Sequence, residues 1–284
     1  IEDSNVAIQE IVSEISQRNI LCLMIGGKKQ LSYALYDGLK KKTQNINITS
    51  IDSEFNFINY DNSKGLNFIS KIINESNNYL GNFSNIGYQS FYVSQEEIDL
   101  MNKLSFDYYR LGEITKDIQE AEPVVRESDI ISVNLCSVKS SELNYDGNPN
   151  GFNSQQLCAL MRYAGLSYNL KVMGLFNIPK TKSSCQLIAQ LVWYVIDGLC
   201  YKLPETPKNK PNNFIKYMVT CQKNEIIFYK SKLSQRWWMQ IPDNFDNNNN
   251  KEYSLLACTE KDYRTAQVGQ LPDRLLKSIK RSMH

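Results

Sequence analysis

Residues 20–56, ILCLMIGGKKQLSYALYDGLKKKTQNINITSIDSEFN, hold two strand-and-loop units joined by a helix, and their reading decides the fold. Ile20–Ile25 is a short, almost wholly apolar run stopped by Gly26-Gly27, the pattern of a strand buried on both faces. Leu31, Ala34, Leu35 and Leu39 then recur at the three-and-four spacing of one helix face. Ile46–Ile51 is a second strand, with Asp52, Glu54 and Asn56 just past its end. Residues two apart on an extended chain point the same way, so these three polar side chains are expected to converge at one strand mouth.

Composition bounds what such units can build. At 284 residues, with 42% hydrophobic and 22% charged, the chain can bury one large core or two modest ones. Its 32 basic and 30 acidic residues leave a net charge of +2, too little to draw it to a phosphate backbone or an anionic membrane. Neither nucleic acid nor membrane insertion is therefore expected. No apolar run approaches the ~18 residues of a membrane span, and no charged-then-apolar leader is legible. Seven cysteines lie without a Cys-x-x-Cys pair, which points to reduced thiols in a cytoplasm and away from a zinc site or a disulfide framework. The single histidine, His284, is the last residue, so chemistry that relies on an imidazole inside the fold is close to excluded.

Working outward, Val6–Gln17 reads as an amphipathic helix entered from Ser4. After Asn56 come a polar loop, a short helix over Leu66–Ile73, and a second loop, SNNYLGNFS. Ser84–Gln89 is a short strand, Ser94 with Glu97 starts a helix, and FDYYRLGEI is strand-like. TKDIQEAEPVVRES is a helix ended or bent at Pro123. Ile130–Leu135, alternating and β-branched, is a strand that places Asn134 and Cys136 two apart on one face. A helix capped at Asn153, the strand LKVMGLFNIPK and the long helix SSCQLIAQLVWYVIDGL complete the layer.

Leu203–Asn213 holds three prolines and reads as a domain edge, so residues 1–203 form an α/β domain and 204–284 a C-terminal extension. In the extension, FIKYMVTCQ and EIIFYKSKL alternate as a hairpin, DNFDNNNNKEY is an asparagine-rich flexible loop, and a basic helix with a solvated face ends the chain. Arg236-Trp237-Trp238 admits two roles: a partner-binding surface, since these residue types are favoured at interface hot spots, or aromatic packing.

A strand ending in Gly-Gly, a helix, and a strand ending in Asp-x-x-x-polar resemble the ureohydrolase superfamily of arginase, agmatinase and formimidoylglutamase. In that family Gly-Gly-Asp-His and Asp-Ala-His-x-Asp bind two manganese ions. The matching segments here are Gly26-Gly27-Lys28-Lys29 and Asp52-Ser53-Glu54-Phe55-Asn56. The family's Ser-x-Asp-x-Asp-x-x-Asp-Pro becomes Ser132, Asn134, Cys136, Lys139 and Ser140. Gln89 stands for the arginine of Ile-Gly-x-Arg, and Phe176 for the catalytic glutamate of Glu-x-Asn-Pro. The C-terminal segment resembles an extension on arginase-like or formimidoylglutamase-like proteins of Bacteroidetes. The resemblance implies a three-layer α/β/α sandwich with a mainly parallel sheet, here without the family's first strand, a small β-containing extension, and a protein partner or a homo-oligomer.

Position by position, the resemblance makes Lys29, Asp52, Glu54, Asn56, Asn134 and Cys136 vestigial metal-site positions, of which Asp52 alone is unchanged. A manganese pair needs about six deprotonated hard or imidazole ligands at neighbouring strand ends. No cofactor and no catalytic residue is therefore expected. The Lys29 ammonium, with Lys28, is expected in the emptied cation position, neutralising Asp52 and Glu54, because a buried carboxylate without its partner costs about 3–5 kcal/mol. The alternatives are lysines on a solvated loop, or one metal ion on Asp52, Glu54 and Cys136. The function implied is a catalytically silent ureohydrolase homologue acting as a binding or scaffold subunit. Its alternatives are a metal-dependent hydrolase of C–N bonds in guanidino or formimino compounds, and a small-molecule sensor.

Overall fold

A computed structural model describes residues 2–55, 57, 67–221, 224–241 and 254–282. The chain divides into two compact units, one of Ile1–Met101 and Tyr108–Lys202 and the other of Asn102–Asp107 and Leu203–His284. The first is built on a six-stranded sheet of β1 (Cys22–Ile25), β2 (Ile46–Ile51), β3 (Leu80–Tyr88), β4 (Asp107–Arg110), β5 (Ile130–Asn134) and β6 (Val172–Phe176). Their order is β1-β6-β5-β2-β3-β4, and the pairs β1–β6, β6–β5, β5–β2 and β2–β3 are parallel.

Strand alternation sorts the side chains between two helical layers. Ile51, Ile131, Val133, Met173 and Leu175 join one core with Leu157 and Met161 of α8 (Ser154–Leu166) and Leu187 and Leu191 of α9 (Lys182–Cys200). Each such side chain contributes about 1.5–3 kcal/mol on burial. The intervening positions face α2 (Ser32–Lys40): the hydroxyls of Ser132 and Ser32 are 2.7 Å apart, and Leu35 lies against Gly174. Behind α2 runs α1 (Glu2–Gln17), close enough that a Cβ at Gly38 would come 2.6 Å from the Gln9 carbonyl. Helices thus cover both faces of a mainly parallel sheet, the three-layer sandwich expected.

Several expectations need correction. β1 is an edge strand with β6 as its neighbour, so Ile25 is exposed and the run is not buried on both faces. α1 begins at Glu2, ahead of the cap expected at Ser4. β3 starts at Leu80, inside the segment read as a loop. Pro123 does not end a helix but lies in the first turn of α6 (Glu122–Glu127), where its missing N–H costs nothing. Ser94 and Glu97 do form a reciprocal cap on α4 (Gln95–Lys103), with bonds of 3.2 and 3.1 Å.

The second unit carries an antiparallel sheet in the order β10-β9-β8-β7, formed by β7 (Phe214–Cys221), β8 (Asn224–Ser231), β9 (Trp237–Gln240) and β10 (Leu255–Cys258). Trp237 stacks on Tyr217 and Tyr263 at 5.4 and 5.0 Å, and Trp238 meets Phe214 edge-on at 5.3 Å. Both indoles are buried and Arg236 is half-buried, so the two tryptophans are packing residues, not an exposed binding surface. A helix that the sequence reading missed, α10 (Glu260–Gln267), precedes the basic helix α11 (Asp273–Ser282). The latter is not a free solvated face: Leu275 and Ile279 enter the core, and Arg281 and Lys277 reach Asp107 at 3.2 and 3.7 Å. The asparagine-rich segment 243–253 lies outside the described residues. Among the described residues, no helix is long and apolar enough to cross a membrane.

The tightest packing joins α8 to α9. A Cβ on Gly165 would come 2.1 Å from the Val195 carbonyl, and one on Gly198 2.4 Å from that of Arg162. Two helices touching backbone to backbone leave no room for a side chain between them. Gly165→Val should therefore lower the free energy of unfolding in urea by at least about 1–3 kcal/mol, the usual penalty of overpacking. A change within about 0.5 kcal/mol would show that the helices do not meet there.

Candidate functional site

The carboxyl ends of β1, β2, β5 and β6 meet in one polar cluster. After β1, Gly26 and Gly27 adopt φ of +104° and +80°, a left-handed turn that favours glycine. It swings the chain into the 3₁₀ turn Lys29–Leu31 and carries Lys29 to a position only 4% exposed. At the end of β2 the Asp52 N–H still donates to the Ile86 carbonyl (3.1 Å), which locks a fully buried carboxylate at the strand mouth. The Lys29 Nζ and Asp52 Oδ2 form an ion pair. Lys28 stays exposed.

The remaining contacts fix the donors and acceptors around this pair. Asn134 Nδ2 donates to Asp52 Oδ1 at 3.0 Å, which directs its amide oxygen the other way. That oxygen accepts from the Cys136 N–H and from Asn177 Nδ2, both at 3.1 Å. Asn177 Oδ1 in turn accepts from the Lys29 N–H at 3.4 Å, and the Asn177 N–H donates to the Gly27 carbonyl at 2.9 Å. One amide orientation satisfies every contact in this ring. The Lys29 ammonium also lies 5.4 Å from the centroid of the Phe68 ring, a cation–π distance.

Of the three polar side chains expected to converge after β2, Asp52 and Glu54 lie close enough for their charges to interact. The chain bends at Asp52–Ser53, which breaks the alternation, so Asp52 is fully buried while Glu54 stands partly in solvent. Partial burial of the Glu54 carboxyl raises its pKa; the charge on Asp52 adds to this and Lys29 opposes it. Asn56 lies outside the described residues. Cys136 falls beyond the end of β5 in a 3₁₀ turn, where Sγ approaches the Asn177 carbonyl at 3.6 Å. Burial pushes its thiol pKa up, partly offset by a hydrogen bond with Tyr145. Phe176 is fully buried with its ring folded over Gly174, where a Cβ would come within 2.3 Å of the ring. Gln89 is tied to Asn150 by two hydrogen bonds of 3.0 and 3.1 Å.

Asn177 is the site residue that sequence reasoning passed over. Its φ of 51° puts it in the left-handed region, which asparagine tolerates better than most residues, and a polar residue two before Pro179 at a strand end was the available signal.

Among the described residues, the donor set does not fit two manganese ions. An ammonium group is bound to the buried carboxylate, the Asn134 oxygen is spent on two N–H donors, and burial favours the neutral form of the Cys136 thiol. Among the described residues, no group of three or more His, Cys, Asp or Glu side chains is placed to hold a metal ion.

The architecture has known counterparts. A formiminoglutamase from Trypanosoma cruzi, determined with Mn2+, superposes with a TM-score of 0.64 at 14% identity over 72% of this chain and 73% of that one. This chain has the arginase-superfamily fold. The formimidoylglutamase of Bacillus subtilis superposes at 0.61 with 17% identity, covering 72% of this chain and 69% of that one. The agmatine ureohydrolase of Thermoplasma volcanium superposes at 0.55 with 17% identity, over 69% and 68%. No protein-family model and no curated protein matches the sequence.

The Lys29–Asp52 pair makes a stability claim. Lys29→Met would strand a buried carboxylate and is expected to cost about 3–5 kcal/mol in a denaturant titration. Lys29→Met combined with Asp52→Asn removes the charge while keeping an acceptor for Asn134, and should regain most of the loss. Equal stability of the single and double variants would show that the pair is not what holds the strand ends together.

Proposed function

We propose that this protein is a catalytically silent member of the arginase fold, a pseudoenzyme that acts as a binding or scaffold subunit. The observation that carries this reading is the ion pair between Lys29 and the buried Asp52. Two-metal hydrolysis needs an open pair of cations to generate and aim a hydroxide. Here the charge that a cation would neutralise is already balanced, and the neighbouring amides donate to or accept from one another. The position corresponding to the catalytic glutamate holds a buried phenyl ring, which can neither take up nor release a proton.

The fold likeness to formiminoglutamases and an agmatine ureohydrolase supports a second reading, hydrolysis of a C–N bond in a formimino or guanidino compound with manganese. The two readings part on one assay. With formimidoylglutamate, arginine and agmatine in manganese-supplemented buffer, the purified chain should release no more product than its Asp52→Asn variant, and metal analysis should find no stoichiometric manganese. Turnover clearly above that control would establish the hydrolase.

A further inference from the structure

A cleft of about 420 Å³ opens where the end of β3, the short helix Leu111–Ile114 after β4 and the loop before α8 come together, and no residue of the Lys29–Asp52 cluster lines it. Its floor is fixed: Gln89, 8% exposed, is tied to Asn150 by the two hydrogen bonds already described, which run in opposite directions. Its walls carry three exposed charged side chains, Arg110, Glu113 and Lys116, and among the described residues none of them forms an ion pair or a side-chain hydrogen bond. The pKa of the Tyr88 hydroxyl is raised first by burial and then by Tyr108; Glu113 adds to this and Arg110 opposes it, so both charges reach the same wall. At the rim stands Phe91, 89% exposed. Tyr92 braces its ring edge-on at 5.0 Å, and the Tyr92 hydroxyl donates to Asn148 Oδ1 at 2.9 Å, which ties the aromatic pair to the loop before α8. A lone exposed apolar side chain needs no explanation. A braced one beside a cleft that holds two cations and a carboxylate, each without a partner there, is a set of binding groups.

We propose that this cleft binds a nucleoside monophosphate, with its phosphate held by Arg110 and Lys116, its ribose hydroxyls donating to Glu113 and its base stacked on Phe91. The two cations call for an anion, and a planar guanidinium beside a flexible ammonium suits a phosphate, whose oxygens accept from both. Two positive charges also match the roughly two negative charges of a single phosphate group. The carboxylate in the same cleft would only repel such an anion unless the ligand also brings donors, and an acidic side chain is the usual acceptor for ribose hydroxyls in nucleotide sites. The braced ring offers a stacking face, which every base can use. A simple carboxylate or inorganic anion would leave Glu113 and Phe91 without a role. The volume lies within the range of small-ligand sites, about 300–1,000 Å³. This site does not depend on whether the Lys29–Asp52 centre is silent or active.

Isothermal titration calorimetry on the full chain should show binding of adenosine monophosphate, with adenosine and inorganic phosphate each at least about tenfold weaker, because neither engages both ends of the cleft. Phe91→Ala should weaken the nucleotide about fivefold or more, the usual loss of one stacked base, and leave phosphate binding unchanged. Arg110→Ala should weaken nucleotide and phosphate alike, about tenfold or more. Glu113→Ala should weaken adenosine monophosphate but not its 2′,3′-dideoxy form, which has no ribose hydroxyls to donate. All three side chains are exposed, so the circular dichroism spectrum of each variant should match that of the wild type. No heat of binding at millimolar adenosine monophosphate, phosphate bound as tightly as the nucleotide, a Phe91→Ala or Arg110→Ala chain that binds the nucleotide like the wild type, or a Glu113→Ala chain that treats the two nucleotides alike overturns the proposal.

Discussion

A carboxylate with no exposed surface, at the mouth of a strand in the middle of the sheet, is the constraint that the surrounding loops answer. Asp52 cannot be stripped of water without several kcal/mol of compensation, and three separate loops supply it. The turn after β1 brings the Lys29 ammonium, the end of β5 brings the Asn134 amide, and the loop after β6 brings Asn177, which orients Asn134 and holds the Lys29 backbone. The contacts join segments between 23 and 148 residues apart along the chain. They depend on the parallel sheet, which sets the four strand ends side by side. The sheet in turn is held by its two helical layers, so the polar cluster and the apolar core are mutually dependent.

This arrangement bears on the choice between hydrolase and scaffold through charge. A parallel sheet gathers the ends of its strands at one edge, and in many α/β proteins ligands bind there. In this chain the same edge is occupied by side chains that neutralise one another. The fold is shared with formiminoglutamases at 14–17% identity, a level at which architecture is common ground and chemistry has to be read from the residues themselves.

Much of this was legible in the sequence, for reasons that differ by residue. Ile46–Ile51 was read to its ends because an apolar strand runs directly into the polar Asp52. The hairpin of β7 and β8 was visible through its alternation, and the cap at Asn153 through a residue type that favours helix starts; the structure adds its reciprocal partner, Gln156. β1 misled because an apolar run looks the same at a sheet edge as at its centre. The start of β3 was hidden by Gly81, a poor strand former that is needed where its backbone approaches Asn45 and Asn47. The unequal exposure of Asp52 and Glu54 was not legible because alternation holds only while the chain stays extended. Asn177 escaped because its role rests on a backbone conformation and on long-range partners.

The ring of Phe176, folded over Gly174 and packed where α2 meets the sheet, has a bearing on any attempt to install hydrolytic chemistry in this scaffold. Exchanging that ring for a carboxylate would leave a void beside Gly174 and place a bare charge in it. Emptying such a space typically costs about 3–5 kcal/mol before the charge is considered. Function could not be added one side chain at a time: an acid at 176, a bulkier neighbour at 174 and a new environment around both would have to arrive together. The protein is insulated from gradual change at this position, and a designer would do better to rebuild the strand end as a block.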